Sequence, residues 1–490
     1  MGSVAVIGSG FAGLAAAASL AQDGHTVTVL EKNSQAGGRA RQFKEQGFTF
    51  DMGPSWYWMP DVFEKYFQRF GHTSRDFYEL ERLDPSYRVY FSQSDILDVP
   101  AGVEHLVHMF NRREPGSGEK LRKFLDEAKY KYEVGVNKLV YQPGLSITEL
   151  FDPELLTGIF KLRVFQSLAS YVRSQFKDPG LIQLLEFPVL FLGATPGNTP
   201  ALYSLMNYAD MALGTWYPRG GMYKVVEALV KVAEEQGVRF EFNSEVTGLN
   251  VEGRSIKSVV VNGTSRSFDY VVAGADYHHV EQSLLPAQYR RYTESYWESR
   301  TLAPSSLIYY LGINKRLPSL LHHNLCFDED FALHAQEIYD RPAWPSKPLL
   351  YLSCPSRTDD TVAPPGCENV FILIPVAPGL EDTPEVRERY YHLALERLER
   401  LTGESVRDHV VYKRTYAHRD FIQDYHAYKG NAYGLANTVM QTANLKPSVV
   451  NKKIDNLFYT GQLTVPGPGV PPSLISGQVV AKVLSERAKK

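Results

Sequence analysis

Six residues near the start of the chain, Gly8-Ser9-Gly10-Phe11-Ala12-Gly13, and an acid some way on, Glu31, have types and spacing that could do chemistry. Gly8 allows a tight turn, Gly10 lets the backbone approach a pyrophosphate, and Gly13 allows a helix to pack closely on a strand. Phe11 and Ala12 would open that helix, whose free N–H groups and positive dipole end suit phosphate. Glu31, followed by Lys32, would accept hydrogen bonds from ribose hydroxyls. Together these residues could hold a dinucleotide.

Three spaced glycines alone are a weak signal, so the elements around them decide. Val4-Ala5-Val6-Ile7 reads as a buried parallel strand, the Ala/Leu-rich run Leu14 to Gln22 as a helix, and Thr26 to Leu30 as a second strand ending at Glu31. Strand, glycines, helix, strand and acid fall in order, and a plain glycine turn would not require that order. An acid at Glu31 argues against NADP, whose 2′-phosphate calls for arginine. FAD is favoured over NAD by the next segments, Gly37-Gly38-Arg39 and Gly47 to Pro54, where Gly38, Gly53 and Pro54 bring backbone near a ligand and Arg39 can reach a diphosphate or flavin edge. Near the C-terminus, Leu457 to Thr460 reads as a strand and Gly461 as its turn, and a helix starts at Pro471 or Pro472. With Gly469 and Val470 before it, that helix would aim its N-terminus at the flavin and stabilise negative charge there.

These stretches resemble the FAD-dependent amine oxidase superfamily, and within it the bacterial and fungal phytoene desaturase family. The resemblance is carried by Gly47 to Pro54 (GFTFDMGP), by Trp216-Tyr217-Pro218-Arg219-Gly220-Gly221-Met222, and by Asn456 to Gly461 with Pro466 to Pro471. It implies an α/β fold: a discontinuous Rossmann-type FAD-binding domain (1–90, 214–285, 454–490), a mainly helical substrate and membrane-associating region (91–213) and a mixed-sheet substrate domain (286–453). It also implies Val246 as a backbone contact to adenine, and Asp276 either near the dinucleotide or, equally, as a helix N-cap. Gln462 departs from the acid that many relatives in the wider superfamily carry after that glycine.

The implied reaction removes hydride and proton from adjacent carbons of phytoene or another carotenoid, with flavin taking the hydride and oxygen or a quinone as terminal acceptor. Alternatives within the fold are desaturation of another carotenoid, such as 3,4-desaturation of a hydroxylated one, a flavin-dependent carotene isomerase, an amine oxidase, or a non-enzymatic isoprenoid escort. The site should then be a long apolar tunnel. Arg219, in the central motif, is the polar candidate to orient flavin or substrate, since a guanidinium cannot act as a base. His322 and His323 read as an ordinary surface pair in a loop.

The 490 residues carry 52 basic and 55 acidic side chains, a net charge of -3 that gives no general attraction to nucleic acid. Three scattered cysteines form no disulfide framework or Cys-rich metal site, which points to a reducing compartment and no metal. HExxH, GxSxG and P-loop motifs are absent, which removes zinc protease, serine hydrolase and NTPase readings. The 30 Tyr and 25 Phe suit either core or an apolar channel. No apolar run is long enough to span a bilayer. The helical stripe Leu155 to Val172, with Lys161, Arg163, Arg173 and Lys177 around it, suits either a membrane interface or a buried helix. The expectation is a cytoplasmic protein resting on the inner face of the membrane.

Overall fold

The structure, a computed structural model, describes residues 1–145, 163, 165–193, 195–438 and 441–489. Its first sheet is five parallel strands in the order Leu457–Tyr459, Tyr270–Ala273, Ser3–Ile7, Thr26–Leu30, Arg239–Glu241. The all-apolar VAVI run is explained by what covers it. Val4 and Val6 pack with the helices Phe11–Gln22, Tyr223–Glu235 and Val470–Ala488, while Ala5 and Ile7 face the antiparallel strands Val246–Glu252 and Ser255–Val261. A strand buried on both faces needs no polar alternation.

Helix Phe11–Gln22 is almost all Ala, Leu and Gly because it lies between this sheet and the C-terminal helix. A Cβ on Gly13 would come 2.0 Å from the Gly8 carbonyl oxygen, and one on Gly477 would come 2.2 Å from that of Ala12. Two ends of the chain are thus locked together where larger side chains would part them.

A second sheet has seven strands, in the order Val410–Tyr416, Ser305–Ile313, Glu368–Val376, Leu350–Ser353, His323–Cys326, Tyr87–Tyr90, Ile96–Val99. Neighbours run antiparallel except the parallel pair His323–Cys326 and Tyr87–Tyr90. Strands Tyr87–Tyr90 and Ile96–Val99, on either side of the expected division at residue 90, therefore both belong to the sheet built mostly from 286–453. One face packs on helix Pro384–Thr402 through Leu307, Tyr309, Leu311 and Ile372. The other turns Ile308, Tyr310, Leu325, Tyr351 and Leu373 toward the first sheet.

The expected amphipathic stripe falls mostly on 155–162 and 164, outside the described residues. Its described end is mixed, with Phe165 89% exposed. Leu168, Tyr171 and Val172 are buried, Arg163 pairs with Glu127 at 3.0 Å and Arg173 with Glu186 at 2.9 Å. These two arginines serve protein carboxylates. Among the described residues, no helix is long and apolar enough to cross a membrane.

Candidate active site

The two sheets enclose a cavity of about 450 Å³. One end is formed by turns at the C-terminal edge of the parallel sheet. Gly8, Gly10, Phe11, Ala12, Glu31, Lys32, Gly38, Arg39, Gly53, Pro54, Val246, Asp276, Gly461, Gly469, Val470 and Pro471, scattered over the whole sequence, all line it. Of the glycines expected there, only Gly13 lies outside the lining. Its contact with Gly8 makes it a packing residue, the part expected of it.

Several observations test whether this end fits FAD. A Cβ on Gly10 would meet nothing within 4 Å, so space is left where a pyrophosphate would lie. Gly10 is also the N-cap of helix Phe11–Gln22 and has no side chain to bond the free N–H groups, which suits an anion. The helix Val470–Ala488 opens its N-terminus on the same cavity, with Pro471 and Pro472 in its first turn. Gly461, at φ +110°, turns the chain there and donates its N–H to Ser476 Oγ at 3.0 Å.

Arg39 completes the fit. Its Nη2 donates to the Asn431 carbonyl at 3.2 Å and its guanidinium lies 5.0 Å from the Tyr425 ring centre, but its buried Nε has no hydrogen-bond partner. Burial lowers the pKa of this group, opposed by the charge of Asp276. A buried cation with an unused donor calls for an anionic partner such as a diphosphate. Gly53 sets its place, since a Cβ there would strike the Arg39 carbonyl oxygen at 2.7 Å. Gln462 has a use too: with its amide oxygen facing Arg39 it accepts from Nη2 at 3.1 Å. The residues present fit FAD.

Two expected roles change, those of Glu31 and Arg219. Glu31 is not a free acid. One carboxylate oxygen accepts from Ser9 N and Oγ at 2.9 and 2.7 Å, the other from Asn33 N and Nδ2 at 2.8 and 2.9 Å. These four donors occupy the roughly four acceptor positions of a carboxylate. Asp276 has two observed places. It caps a helical turn by accepting from His279 N at 3.2 Å, and it lines the cavity. Burial raises its pKa, with Arg39 opposing.

Arg219 lies outside the cavity. Its Nη2 donates to Asp360 at 2.8 Å on an exposed surface. The central motif is a clasp: Tyr217 OH and Gly220 N donate to one oxygen of Asp359 at 3.0 and 2.6 Å, and Met222 N donates to Asp51 at 2.7 Å. At Gly221, φ is +102° and a Cβ would meet Asp51 Oδ2 at 2.6 Å. Two motifs distant in sequence therefore meet each other, and Arg219 is left pointing outward.

The other end of the cavity is apolar. Trp56, Trp58, Phe187, Leu325, Phe327 and Phe331 are among its walls. They come from a loop, a short helix, the second sheet and helix Phe331–Tyr339, and no local spacing links them. His322 and His323 are not on the surface. Both are buried, and His323 begins a strand and stacks on Trp56 with ring centres 4.1 Å apart and an 11° tilt. Among the described residues no group of side chains could hold a metal ion.

Comparisons with known proteins agree with this geometry. Residues 11–484 match the family described as flavin containing amine oxidoreductase. A carotenoid 3,4-desaturase of Haloarcula japonica is 42% identical over 484 residues, covering 99% of this chain and 98% of its own. A zeta-carotene-forming phytoene desaturase of Myxococcus xanthus is 31% identical, covering 98% of this chain and 93% of its own. The solved cyclohexylamine oxidase from Brevibacterium oxydans superposes with a TM-score of 0.58 at 15% identity, covering 100% of both chains. That last likeness concerns the fold.

Proposed function

Because the chain belongs to the flavin containing amine oxidoreductase family and is an FAD-dependent oxidoreductase, we propose that it desaturates a carotenoid held in the apolar end of the cavity. The observation that carries this reading is the continuity of that cavity, in which the fitted cofactor end passes without a break into aromatic and aliphatic walls. Bound FAD supplies a two-electron acceptor, and the protein supplies binding and orientation. Arg39 and the two helix N-termini hold the anionic parts of the cofactor. Trp56, Trp58 and Phe187 grip an unsaturated chain and keep water from it. Hydride loss beside an existing double bond leaves an allylic cation on the substrate, and proton loss then forms the new bond. An amine substrate is disfavoured by the scarcity of charged side chains at this end.

Phytoene is the substrate expected from the resemblance. The greater identity to a 3,4-desaturase than to a phytoene desaturase favours instead an already conjugated chain, desaturated near its end. Oxygen or a quinone is the terminal acceptor we propose, and the chain takes its substrate at a membrane surface. The test supplies FAD and acceptor with liposomes holding either phytoene or a conjugated, hydroxylated carotenoid. A shift of product absorbance to longer wavelength identifies the substrate. No spectral change with either overturns the desaturase reading.

A further inference from the structure

The reaction above must dispose of a proton, and the apolar end of the cavity offers few groups to take it. His334 lines the wall, but Nε2 lies 2.8 Å from the Pro375 carbonyl oxygen and Nδ1 accepts from Leu349 N at 3.0 Å, so both nitrogens are committed. Arg219 is outside, and Tyr339 OH is buried with no hydrogen-bond partner, hence with no base behind it.

One cavity hydroxyl pair differs. Ser55 follows Gly53 and Pro54 at the junction of the two ends, and its Oγ lies 2.7 Å from Tyr351 OH. Both residues line the cavity. Tyr351 OH in turn lies 2.8 Å from His323 Nδ1. His323 is fully buried, and its Nε2 has no hydrogen-bond partner. Its face is covered by Trp56, which is placed to stabilise an imidazolium through its π-system.

We infer that Ser55, Tyr351 and His323 form a proton relay that takes the proton lost from the substrate cation. The inference rests on the desaturase reading. The C–H bond next to the cationic carbon breaks, its electron pair becomes the new double bond, and the proton passes to Ser55 Oγ. The Ser55 proton moves to the Tyr351 oxygen, and the Tyr351 proton to His323 Nδ1. Nothing is oxidised or reduced in these transfers. The hydride has already left the substrate, and the imidazole gains one positive charge. For this the resting imidazole must be neutral with Nδ1 as acceptor and the proton on Nε2. Burial, with His322 adding to it, holds the His323 pKa well below its ordinary value, so the ring is neutral at rest. The charge it gains in the relay is opposed by burial, with stacked Trp56 as its stabilising neighbour.

Ser55 and Tyr351 are the catalytic residues of this relay, and His323 acts through Tyr351. The first test uses ¹⁵N-histidine-labelled protein without substrate. Nδ1 of His323 should show the signal of an unprotonated acceptor, and Tyr351→Phe should move it downfield by removing the donated hydrogen bond. The second test mixes flavin-loaded protein anaerobically with a carotenoid. Tyr351→Phe and Ser55→Ala should each slow substrate-driven loss of flavin absorbance at least about tenfold, in the range of general acid–base effects. Flavin content should be unchanged. Wild-type rates in both variants, or a protonated Nδ1, would overturn the relay and leave the desaturase intact. If no carotenoid bleaches the parent protein, the desaturase reading falls and the relay with it.

Discussion

The two ends of the cavity are built by different means. At the cofactor end the ligand would meet backbone: N–H groups at two helix N-termini, turns at Gly8 and Gly461, and the space beside Gly10. At the substrate end it would meet side chains carried by elements from Trp56 to Leu373. Backbone placed by a turn needs particular residues at fixed spacing, and that pattern stays visible in a sequence. A wall of side chains needs only apolar residues of suitable size, which many positions supply. The difference predicts that substitutions at one end change cofactor retention and at the other end change substrate handling.

In stability, the largest effect falls on neither ligand surface but where the chain ends lock together. Gly477→Val should cost more than about 3 kcal/mol, because rigid backbone at Ala12 and Ala16 meets the new atoms. Soluble yield and urea unfolding measure this. Leu325→Ala, on the substrate wall, should cost about 2–3 kcal/mol by enlarging the cavity. Its flavin content should stay at the parent value while KM for the carotenoid rises. Loss of flavin in this variant would erase the distinction between the ends.

Asp51 gives a smaller, pH-dependent effect. Burial pushes its carboxyl up to about 6 from an ordinary 3.8, although Met222, Gln42 and Tyr223 donate to it. The folded protein therefore takes up a proton between about pH 4 and pH 6 that the unfolded chain does not, and Asp51 loses stabilising effect as pH rises through that window. Relative to Asp51→Asn, the parent should be most stable near pH 4 and should fall by about 2 kcal/mol by pH 7. Denaturant unfolding of both proteins across this range checks the sign.

Gly10→Val should have the smallest effect on the fold, under about 1 kcal/mol, since its Cβ meets nothing within 4 Å. It should nevertheless abolish flavin retention, because a branched side chain fills the space left for the pyrophosphate. Retained flavin at the parent stoichiometry would remove the N-terminal turn from the cofactor site.

How much of this was legible follows the same division. The first strand–helix–strand unit and the terminal helix were readable because apolar runs, glycine spacing and proline at a helix start each reflect a local requirement. Val246 and Asp276 were placed through resemblance and do line the cavity. Arg219 was misplaced because its motif is occupied with clasping Asp51 and Asp359, a long-range contact that residue order hides. His322 and His323 read as a surface pair because an isolated histidine carries no sign of burial. The strand that begins at His323 became recognisable only through pairing with Tyr87–Tyr90 and Leu350–Ser353. Trp56 and Trp58 sat beside a recognised motif, and their density of aromatic rings was the signal that could have marked the cavity wall.

The central claim is that the cavity couples a carotenoid at one end to FAD at the other. The most direct measurement is an anaerobic titration of the flavin-loaded protein with carotenoid, following flavin and polyene absorbance together. The account predicts that flavin absorbance is lost as the polyene band moves to longer wavelength, with one new double bond per flavin reduced. A polyene band that shifts while the flavin stays oxidised would contradict it.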